Sequence, residues 1–121
     1  MTELLEYYDN FVDEMMVSDL PVHQAVIALA EEVGEACGKV KRLNRGDYKY
    51  TEEQLNLDEK WQEYPDQFVL DMGKELGDIL YYLTATAHDL GYSLEDIIEG
   101  NVEKLKARKV AGTIKGSGDS R

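Results

Sequence analysis

Two segments of this chain each carry a pair of carboxylates three residues apart. They are Glu32 and Glu35 in EVGE, and Glu75 and Asp78 in ELGD. In a helix, side chains three apart project along one face, so each pair can act on a single ligand. Four carboxylates brought together repel one another in a low dielectric, and a cation removes that repulsion. An oxygen-only ligand set suits Mg²⁺ or Mn²⁺ rather than zinc or copper. The same spacing also fits a solvated face, because the chain holds 25 Asp and Glu residues and such pairs arise by chance. Two details favour the metal. At roughly 100° per residue, each pair flanks the apolar stripe of its own helix on the same side, the first acid by roughly 80° and the second by roughly 140°. Each pair also encloses a glycine, Gly34 or Gly77, which costs about 1 kcal/mol in a helix interior and points to a close approach there. A di-iron bundle needs Glu-x-x-His steps, and neither His23 nor His88 stands three residues after a glutamate.

The elements that must position these acids are helical throughout. A first helix over about residues 2–17 has Leu4, Tyr8, Phe11, Val12 and Met15 as its apolar stripe. Asp19 is a candidate N-cap for a second helix that runs past Pro21 to about Leu43, with Val22, Val26, Leu29, Val33, Ala36 and Val40 along one face. The NRGDYKY stretch breaks the period, and residues 51–60 predict a short polar helix capped by Thr51. The next long helix begins near Pro65 and ends at His88 or Leu90, striped by Val69, Met72, Leu76, Leu80, Leu83 and Ala87, with Gly91 as its C-cap. Ser93 and Asp96 form a capping pair for the last helix, which carries Leu94, Ile97, Ile98, Val102 and Leu105. The expected fold class is all-α: a four-helix-type core with a short extra helix or loop insertion, in an oligomeric bundle. Residues 1–111 form the domain. Residues 112–121, GTIKGSGDSR, form a Gly- and Ser-rich tail with no period.

A net charge of -12 argues against stable nucleic-acid binding, which needs a basic face. It leaves room for a phosphorylated small molecule bridged by divalent cations. A single cysteine, Cys37, excludes an intrachain disulfide and a zinc thiolate cluster, and its apolar surroundings predict an inert core thiol. The acidic first 20 residues are no signal peptide and no apolar run approaches a membrane span, so the cytoplasm is the expected location.

The acids, together with a polar element nearer the C-terminus, resemble the MazG-like all-α nucleoside triphosphate pyrophosphohydrolases, in particular the short phage-type members. The family pattern is Glu-Glu-x-x-Glu and, later in the chain, Glu-x-x-Asp. Glu31, Glu32 and Glu35 match the first part, and Glu75 and Asp78 the second. A later Asn-x-x-Lys-x-x-x-Arg element matches Asn101, Lys104 and Arg108. The tail is similar to the Gly-rich phage-type ending. The likeness spans residues from about 25 to the end. It departs from the common pattern in a longer stretch between Glu35 and Glu75, where the residues around 45–65, Trp61 among them, are placed to reshape a base pocket.

The resemblance implies Mg²⁺, or Mn²⁺, held against a nucleotide's phosphates by Glu32, Glu35, Glu75 and Asp78. It implies hydrolysis of a nucleoside triphosphate between its α and β phosphorus atoms, to a monophosphate and pyrophosphate, with Glu31 or Glu35 orienting water. Asn101, Lys104 and Arg108 sit at i, i+3 and i+7 on one helical face, and Lys and Arg suit a phosphate chain. Lys39 comes after the first acid pair and is placed either to meet phosphate or to form an exposed basic edge. In the tail, Lys115 and Arg121 supply charge, and the segment is expected to close over the phosphates when substrate binds. No Ser, Cys or His stands in a nucleophile arrangement, so a covalent intermediate is not expected. Chain length and the apolar faces predict a homodimer or homotetramer. Two alternatives remain: a deoxynucleotide-selective relative acting on dUTP, dCTP or a modified nucleotide, and a non-enzymatic helical oligomerisation or regulatory protein.

Overall fold

The computed structural model describes residues 2–16, 21–58 and 63–112. Among them lie five helices in order: α1 Thr2–Met15, α2 Val22–Asn44, α3 Glu52–Leu55, α4 Asp66–Asp89 and α5 Leu94–Ala111. No strand occurs among the described residues, and the fold class is the all-α one expected. The chain forms two compact units, one of residues 21–83 and one of residues 1–20 with 84–121.

In the first of these units, α2 opens at Pro21, whose carbonyl accepts from the Gln24 and Ala25 amides at 2.9 and 3.0 Å. Asp19, the expected cap, lies outside the described residues. Gly46 ends α2 with φ +81°, a conformation that favours glycine. α3 is one turn long, shorter than the helix expected over 51–60. It carries a full capping box, in which the Thr51 hydroxyl accepts from the Gln54 amide and the Gln54 side chain accepts from the Thr51 amide. Gln54 does more than cap. Its Nε2 donates to the Tyr64 carbonyl at 2.8 Å, and its Oε1 accepts from the Asp66 amide at 3.2 Å. One carboxamide therefore fastens the inserted segment to the start of α4. Pro65, fully buried, leads into α4.

The buried lines of α2 and α4 differ from their apolar stripes. On α2 the inward positions are Ala25, Leu29, Glu32, Ala36, Lys39 and Leu43, at alternating steps of four and three. On α4, Phe68, Met72, Glu75, Ile79 and Tyr82 repeat the pattern. Val26, Val33 and Val40 are 47%, 44% and 39% exposed, and Val69 and Leu76 are 54% and 58% exposed. Glu32 and Glu75 thus stand within the inward line of each helix rather than roughly 80° outside it. Cys37, expected in the core, is exposed for the same reason: it belongs to the outward side with Val33 and Val40.

The other unit combines α1, the last turns of α4 and α5, with Val12, Thr84, Ala85, Ala87 and Leu94 buried. α4 stops where Gly91 takes φ +85°, and the Tyr92 amide donates back to the Ala87 carbonyl at 2.9 Å. Ser93 and Asp96 form the expected reciprocal capping box for α5. Asp9 of α1 ties the three segments. Its Oδ1 lies 2.6 Å from His88 Nε2 and accepts from the Leu94 amide at 3.0 Å. Asp13 Oδ1 stands 2.8 Å from the other ring nitrogen, a close contact outside hydrogen-bond geometry. His88 is thus a helix-end side chain with structural partners. No described helix is long and apolar enough to cross a membrane.

Candidate metal and nucleotide site

Glu32 and Glu35 lie one turn apart on α2, and Glu75 rises from α4. Each offers a carboxylate oxygen, and these oxygens lie within 4.8 Å of one another. The helices run antiparallel here. Glu32 feels Asp78 at one end, Lys39 meets Glu75 midway, and Arg42 reaches Asp71 through Tyr48 at the other. Glu75 is only 8% exposed. Its Oε2 and the Oε2 of Glu32 are buried without a hydrogen-bond partner. Buried carboxylate oxygens with no partner are costly, and two of them face a third acid here.

The electrostatics agree. The Glu32 pKa is raised, first by burial of its carboxyl and then by the charges of Glu35 and Asp78, by a hydrogen bond with Glu35, and by Glu75. The other three acids of the two pairs therefore all act on Glu32. Asp78 is exposed and stands outside the close trio, near enough for its charge to be felt. Oxygen-only donors, close spacing, orphaned buried atoms and mutual repulsion together fit a hard divalent cation.

Among the cations, Lys39 Nζ lies 3.8 Å from Glu75 Oε1, with both side chains largely buried. Glu31 is exposed on α2. Asn101 and Lys104 are exposed on α5, and Arg108 is half-buried there. All three belong to the other unit. Lys115, Arg121 and Trp61 lie outside the described residues. A Cβ at Gly34 or Gly77 would meet nothing within 4 Å among the described residues, so the close approach expected at these glycines does not come from them.

Sequence reasoning missed Tyr48 and Asp71. The Tyr48 hydroxyl donates to Asp71 Oδ2 at 2.8 Å, and Gln67 Nε2 donates to Asp71 Oδ1 at 2.8 Å. These two bonds, helped by Lys39 and Lys74, outweigh burial and hold the Asp71 pKa below the usual carboxylate value. Tyr48 is itself buried, packed edge-on against Phe68 and under the Arg42 guanidinium. Its own pKa is raised by burial first and by Asp71 second. A usable signal was present, since Asp71 precedes Glu75 by four residues and shares its helical face.

Comparison with known proteins agrees with this construction. Residues 22–111 match the MazG nucleotide pyrophosphohydrolase domain. The chain is similar to the Gene 37 protein of Mycobacterium phage L5, with 35% identity over 96 residues, covering 78% of this chain and 72% of that protein. No solved structure matches. The matched span takes in α2 through α5, and with them Glu31, Glu32, Glu35, Lys39, Glu75, Asp78, Asn101, Lys104 and Arg108: the chain belongs to the MazG nucleotide pyrophosphohydrolase family.

Proposed function

We propose that this protein is a divalent-metal-dependent nucleoside triphosphate pyrophosphohydrolase, releasing a nucleoside monophosphate and pyrophosphate. The observation that carries this reading is the Glu32, Glu35 and Glu75 trio with its two partnerless buried oxygens. These three residues, with Asp78 beside them, would hold Mg²⁺ or Mn²⁺. A divalent ion bound there supplies positive charge to offset the charge developing on the phosphate oxygens and favours ionisation of a nearby water. Water oxygen forms the new bond to phosphorus as the bond to the α–β bridging oxygen breaks, and that oxygen leaves with pyrophosphate. Glu35 or Glu31, both exposed, would orient the water and take its proton. Lys39 on α2, and Asn101, Lys104 and Arg108 on α5, are the proposed phosphate ligands.

The test is pyrophosphate release across a panel of ribo- and deoxyribonucleoside triphosphates, standard and modified, with Mg²⁺ or Mn²⁺. At least one should give monophosphate and pyrophosphate in equal amounts, and only with metal. The panel also separates a general enzyme from a deoxynucleotide-selective one. Absence of turnover on every member would sink the reading and favour a non-enzymatic helical protein.

A further inference from the structure

Among the described residues, one cation makes an ion pair with the carboxylate trio: Lys39, 3.8 Å from Glu75 Oε1. It projects from the inward line of α2, seven residues after Glu32, so it stands two turns along the same face. Its side chain is 25% exposed and that of Glu75 11%, so the pair is poorly screened by solvent. We propose that Lys39 is the resident counter-ion of the acid cluster before metal binds, competing with the divalent ion for Glu75 and turning to the phosphate chain once metal and nucleotide bind. This rests on the metal reading above and gives Lys39 a role distinct from a plain phosphate contact.

The physical case is a balance of charges. Glu75 is almost fully buried, and its Oε2 has no hydrogen-bond partner. A buried carboxylate without compensation is expensive, and the Lys39 ammonium is the compensation the structure provides. An ammonium this close to a ligand carboxylate repels an incoming divalent ion and weakens its hold on Glu75. A triphosphate reverses the balance. It brings several negative charges, which attract a flexible four-carbon side chain with three rotatable donors. Lys39 leaves Glu75 free at the moment the full complement of substrate and metal is present. Asp71, one turn before Glu75 on α4, is held ionised by Tyr48 and Gln67. Its charge draws on the same lysine, which keeps the ammonium near α4 until phosphate competes for it. The consequence is ordered loading: weak affinity for metal alone, and tighter affinity for metal with nucleotide.

Lys39→Met keeps most of the length of the side chain and removes its charge. The purified full chain is titrated with Mn²⁺ alone by calorimetry, and then with a non-hydrolysable triphosphate analogue at saturating Mn²⁺. Mn²⁺ alone should bind the variant roughly threefold to tenfold more tightly than the wild type, while the analogue binds more weakly. Lys39→Arg should restore both values towards wild type. Circular dichroism establishes that the variants are folded, and Lys39→Gln serves if the methionine variant is not. Unchanged or weaker Mn²⁺ affinity in the folded variant overturns the proposal and leaves the metal reading standing. Failure of the wild type to bind Mn²⁺ with or without the analogue overturns both.

Discussion

Glu32 is the residue at which function opposes stability most directly. Its folded pKa is raised above 4.5, by burial first and then by the neighbouring acids. The folded state therefore keeps a proton that the unfolded chain has lost, and metal-free stability falls as pH rises from the unfolded value through the folded one. Glu32→Gln removes this titration. Urea unfolding of the two metal-free proteins should coincide in pH trend below 4.5 and then diverge, with the variant the more stable at neutral pH. A constant difference at every pH counts against this. At catalysis the order reverses: Glu35→Gln and Asp78→Asn should each reduce turnover at least ~100-fold. Both side chains are exposed, so helicity should survive. Near wild-type turnover in either variant removes that residue from the machinery. The four acids were legible because i,i+3 spacing is local. The Tyr48–Asp71 bond was not, since it joins residues 23 apart through a turn whose path no periodicity reveals.

At the scale of the element, helix boundaries arise from caps and breakers. Pro21, Gly46, Thr51, Pro65, Gly91, Ser93 and Gly112 stand at or beside the ends, and each acts through backbone geometry or a capping side chain that a sequence displays. Which face turns inward was less legible. Apolar periodicity measures where water is avoided, and in α2 and α4 large apolar residues lie outside the inward line as well as within it, while Glu32, Lys39 and Glu75 take positions along that line. A helix with two demands on its surface has no single stripe. Asp9 shows a local dependence of the same kind in α1, where one carboxylate serves both His88 and the amide at the start of α5. Asp9→Ala should cost about 1–3 kcal/mol, the penalty for leaving partly buried donors unsatisfied, and Asp9→Asn should retain part of that. Denaturant unfolding reads the loss; a change within about 0.5 kcal/mol, the bound for ordinary surface sites, would show that the tie is dispensable.

For the molecule as a whole, the exposed side chains of α2 and α4 carry a prediction about assembly. Val26, Val33, Val40, Val69 and Leu76 lie open, each 39% or more exposed, in a chain whose net charge of -12 otherwise keeps it well solvated. Apolar area of this kind is characteristically covered by another surface. We propose a homodimer or dimer of dimers that buries these faces, and the open space beside Gly34 and Gly77 gives a partner helix or a nucleotide room to approach. Sedimentation at micromolar concentration should show the oligomer, and Leu76→Glu should shift it towards smaller species. A monomeric wild type would refute the proposal. Chain length and composition pointed to association from the start. The faces proposed to carry it emerge only when burial is set against periodicity.

The Gln54 clasp also bears on how the protein exchanges its amide hydrogens with solvent. The amides of Thr51 and Asp66, 15 positions apart, share one acceptor atom, the Gln54 Oε1, at 3.1 and 3.2 Å. Their protection from deuterium is therefore a joint property: any opening that swings the carboxamide away exposes both at once. In wild type the two amides should exchange with similar protection factors. In Gln54→Ala both should accelerate together, although one begins a single helical turn and the other a helix of 24 residues. Such linked isotope uptake would identify the inserted segment as one cooperative unit with the start of α4, opening and closing by the rotation of a single side chain.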